Sequence, residues 1–172
     1  MNFERGCAIN TCAFVTYNQV GDTLSSGWHD SGDRRALLIQ NSRGFTWGAR
    51  EERDVSVVNV RLEDQATNRV VSEIETLWGQ LQQALPELDH IVVYVGSRGS
   101  ERAIELASQL PACKVTFVGC ECGLPIKEAM LQRAGLGRAR RVLCECGGRQ
   151  TMEFLYKNFM QTGELLPIAA VA

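Results

Sequence analysis

Val118-Gly119-Cys120-Glu121-Cys122-Gly123 and Val142-Leu143-Cys144-Glu145-Cys146-Gly147-Gly148 carry one pattern twice, 24 residues apart: apolar residues, then Cys-Glu-Cys-Gly. A third version, Val95-Gly96-Ser97-Arg98-Gly99-Ser100, has Ser97 and Gly99 where the cysteines stand. Two of the three follow apolar runs, Ile91–Val95 and Val115–Val118, the other follows a shorter strand, Arg141–Leu143, and each precedes a helical pattern. Runs of this kind, bounded by glycine turns, read as buried strands.

The first helix of this series is capped by Ser100, turns Ala103, Ile104, Ala107 and Leu110 inward, and stops at Pro111. The second has Pro125 as its first helical residue and Ile126, Ala129, Met130 and Ala134 inward, and Gly135 ends it. The last runs from about Gln150 to Thr162 with Phe154, Leu155 and Phe159, and Gly163 closes it. Strands alternating with single helices imply parallel pairing through right-handed crossovers.

Upstream, Val70, Val71, Ile74, Leu77, Trp78, Leu81 and Leu85 recur at helical spacing, with Pro86 after the end. Residues 1–62 read as mainly β. Strands are expected at Ala8–Tyr17, Ala36–Gln40, Phe45–Arg50 and Val55–Leu62, with a hairpin turn at Asn41-Ser42-Arg43-Gly44. Residues 18–35 read as a long polar loop. The expectation is a single α/β domain over 1–172. Its mixed sheet has antiparallel strands in front and parallel strand–helix units over 63–172, with helices on the sheet faces.

Composition bounds the function. A chain of 172 residues with 45% hydrophobic content builds a core without metals or disulfides. A net charge of −2 argues against general nucleic-acid or membrane-surface binding. The charge is uneven: residues 127–172 hold seven Lys/Arg against four Asp/Glu, and residues 1–126 eleven against sixteen. That balance suits a small anionic ligand better than a duplex. Met1–Gly6 lacks a charged-then-apolar leader and no apolar run approaches ~20 residues, so a cytoplasmic protein is expected. There the seven cysteines would be mostly free thiols.

The cysteines carry the sharpest site expectation. Open α/β sheets bind ligands beyond the carboxyl ends of their strands, where these turns should lie. Residues i and i+2 of extended chain point to one side, so each Cys-Glu-Cys presents two sulfurs together. If their strands are neighbours, Cys120, Cys122, Cys144 and Cys146 converge as a metal site for zinc or an iron–sulfur cluster. Glu121 and Glu145 would point away and are not counted as ligands. Two other readings compete: cysteines packed as small hydrophobes, and a reversible disulfide between the turns or within one, the bond inside a Cys-x-Cys being the more strained.

A separate reading uses the glycines. Gly96, Ser97, Arg98, Gly99 and Ser100, with Gly147, Gly148 and Arg149, offer backbone N–H groups, hydroxyls and guanidiniums at helix starts, and would hold a phosphate- or nucleotide-type ligand. A structural or interaction subunit is the third possibility. The expected partner is a small molecule or metal, and no residue is assigned a catalytic role. Trp28-His29-Asp30-Ser31-Gly32-Asp33 is a weaker metal or acid/base candidate. His90 is expected at the surface, Cys7 and Cys12 are expected to be structural, and Cys113 has no partner in sequence.

Overall fold

Strands covered on both faces need side chains that are apolar or hydrogen-bonded internally, and β5 (His90–Tyr94) and β6 (Val115–Gly119) are buried throughout. Among the described residues they lie in a seven-stranded sheet with β1 (Thr11–Val15), β2 (Leu24–Ser31), β3 (Arg34–Asn41), β4 (Val60–Arg61) and β7 (Arg140–Leu143). The strand order is β4-β2-β3-β1-β5-β6-β7. The computed structural model describes residues 9–16, 24–41, 60–61, 78–95, 100–121, 124–144 and 149–165. Phe45–Arg50, most of the turn expected at 41–44, and the first turns of the helix expected from Val70 lie outside them.

The α/β mixed sheet is as expected, but the pairing in its front half is finer than the sequence implies. β1 runs parallel to both β3 and β5, and among the described residues antiparallel pairing is confined to β2, against β3 and β4. The polar loop expected over 18–35 is corrected: its residues 24–31 form β2, paired residue for residue with β3. The hairpin turns at Gly32-Asp33, where Gly32 takes φ 61°, the left-handed conformation required of the first central residue in a type II′ turn. Ladder hydrogen bonds to β3 hold this polar segment extended, whatever its propensity.

Helices cover both faces. Residues 78–84 (α1), Ser100–Ala107 (α2) and Leu124–Arg133 (α3) pack Trp78, Leu81, Ile104, Leu106 and Leu131 against Ala13, Val15, Ile91, Val93 and Phe117. Arg149–Thr162 (α4) covers the other face, where Met152, Leu155, Tyr156 and Phe159 meet Phe14, Leu38, Val92 and Val118. Phe14 sits edge-on to Tyr156, with ring centroids 5.7 Å apart. Arg34 donates to the carbonyls of Met160 and Gln161, both at 2.9 Å, placing a cation at the C-terminal end of α4.

The inner face expected for α3 is corrected in part. Ile126 is 77% exposed and Ala129 is exposed, while Leu124 and Leu131, seven residues apart, are the buried pair. Apolar residues surround this helix, so spacing alone does not select its inner face. Two side-chain ties do: Glu128 takes a bidentate bond from Arg141 on β7 (2.9 and 3.0 Å), and Lys127 reaches Glu101 on α2 at 3.0 Å. Gly135 ends α3 at φ 79°, with its N–H bonded to Gln132 and that of Leu136 to Leu131, a Schellman closure. In α4, Leu155 and Phe159 are fully buried, whereas Phe154 is 42% exposed. Gly163 closes that helix as expected, at φ 78°.

Candidate functional site

β5, β6 and β7 are consecutive parallel strands, so their carboxyl ends share one edge of the sheet. Helices α2, α3 and α4 begin just beyond that edge, at Ser100, Leu124 and Arg149. The register pairs Val118 with Val142 and Gly119 with Leu143. One residue further, the Cys144 N–H donates to the Gly119 carbonyl at 3.0 Å. Cys120 and Cys144 therefore leave neighbouring strands at the same level.

Gly119 sets how closely α3 approaches the strand end. A Cβ there would lie 2.8 Å from Leu124 Cγ and 3.2 Å from Val95 Cγ2, so only glycine admits Leu124 against β6. The Cys120 carbonyl accepts the Leu124 N–H at 3.0 Å, tying the turn to the first helical residue. Since the missing Gly119 side chain would face Leu124 and Val95, alternation sends Cys120 toward the α4 face. Cys144 packs, half-buried, against the cluster on that face. Cys120 is only 8% exposed, and neither residue is disulfide-linked.

The remaining residues of the turns divide in two. Glu121 is exposed in the turn. Cys122, Glu145, Cys146, Gly147 and Gly148, together with Gly96, Ser97, Arg98 and Gly99, lie outside the described residues. Ser100 is buried at the start of α2, and Arg149 is the first residue of α4. Among the described residues, no group of three or more His, Cys, Asp or Glu is placed to hold a metal ion.

The structure gives the weaker candidates other work. Trp28, His29 and Asp30 lie on β2. His29 shares a hydrogen bond between Nδ1 and the Tyr156 hydroxyl, and the rings stack at 5.7 Å. Asp30 pairs with Arg35 at 2.9 Å, and the Arg35 guanidinium sits 4.2 Å from the centre of the Trp28 ring. The His29–Tyr156 contact ties the hairpin to α4, and the Arg35 contacts brace the hairpin itself. Cys12 is fully buried, and burial, with Asp89 nearby, pushes its thiol well above the usual range, which fits the structural role expected of it. Cys113 is exposed in the short turn before β6, at the opposite edge from Cys120.

His90 corrects its surface assignment. It opens β5 in register with Cys12, is 8% exposed, and shares a 2.8 Å hydrogen bond with Thr116 Oγ1 on β6. Burial first, then Arg140 and Lys114, lowers its pKa to about 3, so the imidazole is neutral. No local pattern announces this, because the partner hydroxyl comes from another strand.

Among the described residues, no helix is long and apolar enough to cross a membrane. Compared with known proteins, the chain matches no family model, no curated protein and no solved structure.

Proposed function

We propose that the two Cys-Glu-Cys-Gly turns form a thiol-lined metal or small-ligand site at the carboxyl edge of the parallel sheet. Cys120, Cys122, Cys144 and Cys146 are its ligands, and the glycine-rich turns are its rim. The observation carrying this reading is the bond from Cys144 N–H to Gly119 O, which extends the β6–β7 register into the two turns. Four thiolates suit zinc or an iron–sulfur cluster. The start of α3, tied to the Cys120 carbonyl, supplies a partial positive charge that favours thiolate. The low exposure of Cys120 suits a closed structural site. Protein purified without oxygen should carry about one zinc per chain or show cluster absorption in the visible. A metal-free, colourless protein would refute the metal reading.

A second reading draws on the strand order. The chain leaves β1 toward β2 and β3 on one side, and leaves β5 toward β6 on the other. The carboxyl ends of β1 and β5 therefore flank a switch point, where open α/β sheets hold their ligands. In sequence, Gly96-Ser97-Arg98-Gly99 stands between β5 and α2, which starts at Ser100. Ser97, Arg98 and Ser100 would hold a phosphate or nucleotide at this switch point. Calorimetry with common nucleotides and inorganic phosphate tests it.

A further inference from the structure

We propose that Cys120 and Cys144 close into a reversible disulfide across β6 and β7, making this edge of the sheet a thiol-redox switch. Its link to metal rests on the reading above; the disulfide itself does not.

The backbone meets the requirements of the bond. Neighbouring parallel strands lie ~4.8 Å apart, within the ~4.4–6.8 Å between Cα atoms that a disulfide spans. The ladder places Cys120 opposite Cys144, one residue beyond the Gly119–Leu143 pair. Val118 and Val142 lie in the cluster beneath α4, and alternation brings Cys120 and Cys144 to that same face. The nearest rival bond, within one Cys-x-Cys, is strained. Cys12 is sealed in the core with a raised pKa, and Cys113 lies at the far edge of the sheet.

Exposure gives the two sulfurs different tasks. Cys144 is partly open and Cys120 is 8% exposed, so Cys144 meets the oxidant and Cys120 resolves. The oxidant is a low-molecular-weight disulfide. The Cys144 thiolate attacks one of its sulfurs, forming a mixed disulfide and releasing one thiolate. The Cys120 thiolate then attacks Cys144 Sγ, forming the cross-strand bond and expelling the second thiolate. The two cysteine protons pass to the released thiolates, so one small disulfide becomes two small thiols while two cysteines become cystine. Oxidation removes two thiolate ligands, so metal and disulfide are mutually exclusive.

The test equilibrates the full chain, and a Cys122→Ser/Cys146→Ser variant, with graded mixtures of reduced and oxidised glutathione. Acid quenching and tryptic mapping should recover Val115–Lys127 linked to Val142–Arg149 in both proteins. Fragmentation of the wild-type peptide should assign the bond to Cys120 and Cys144, which covers the case of a variant that folds poorly. Adding Cys120→Ala should leave glutathione on Cys144. A bond assigned to Cys122 and Cys146, or a stable glutathione adduct on wild-type Cys144 with no linked peptide, would overturn the proposal. Zinc in the reduced wild-type protein separates the two ideas. Zinc without the linked peptide refutes the disulfide and leaves the metal site. The linked peptide without metal supports the disulfide and removes the metal site.

Discussion

Cys144 hydrogen-bonds through its backbone N–H to the carbonyl of Gly119, so the residue after Gly119, Cys120, stands level with Cys144 on the adjoining strand. Convergence of thiols from the two turns depends on this single ladder step. If metal is held here, Cys144→Ser removes one ligand of four and should cut zinc content at least several-fold. Cys113→Ser, at the opposite edge, should leave it unchanged. Affinity should also fall with falling pH, because thiols with ordinary pKa near ~8.5 must ionise to bind. Elemental analysis of the two variants across pH 6 to 8 checks all three outcomes.

The close approach of α3 to β6 yields a stability prediction. Gly119→Ala drives a methyl to within 2.8 Å of Leu124 Cγ and 3.2 Å of Val95. It should cost about 1–3 kcal/mol, the usual scale of an overpacked core. Gly79 lies in α1 with nothing within 4 Å of its added Cβ, so Gly79→Ala should stabilise by about 0.5–1 kcal/mol. Urea unfolding of the two variants should move in opposite directions.

The parallel back half was legible because β5 and β6 are buried on both faces and therefore read as nearly continuous apolar runs, punctuated by glycine and followed by helix starts. β2 was not, since Ser25, Ser26, Gly27 and Asp30 carry no strand propensity and the segment is extended by its pairing with β3. The inner face of α3 was obscured by Ile126 and Ala129, apolar residues that face solvent beside the buried Leu131. The candidate turns were visible as a repeat, whereas their adjacency was not. Strand order follows from how whole units stack, and no residue near Cys120 or Cys144 encodes it. His90 was misplaced for a related reason: Thr116, which satisfies its ring, is 26 residues away on a neighbouring strand.

A ligand held at the switch point between β1 and β5 implies a charge-dependent contact. If Arg98 and Ser97 hold an anion beside β5, Arg98→Ala should weaken nucleotide or sugar-phosphate binding by about 1.5–3 kcal/mol, the range of a charge-assisted hydrogen bond. Raising salt should weaken wild-type binding more than that of the variant, because the variant has already lost the charge. Titration calorimetry at two ionic strengths measures both. No heat from any nucleotide, sugar phosphate or inorganic phosphate would remove the anion reading.

His90 sets an acid limit on the fold. Its pKa is lowered to about 3 in the folded protein, by burial and by Arg140 and Lys114. The unfolded chain, with an ordinary histidine, takes up its proton near ~6.5. Between these values the unfolded state binds more protons, so stability present above ~6.5 is lost as pH falls toward 3. From pH 7.5 to 5 this one group should remove about 2 kcal/mol. His90→Gln keeps an amide within reach of Thr116 Oγ1 and cannot titrate. The variant should be less stable at neutral pH, because its side chain fits less well, yet lose markedly less than the wild type on acidification. Carboxylates common to both proteins cancel in the comparison, so the difference between the two pH dependences isolates residue 90. Urea midpoints at pH 5 and 7.5 supply it. Equal acid losses in the two proteins would mean that the His90 ring is protonated, or reached by water, in the folded state.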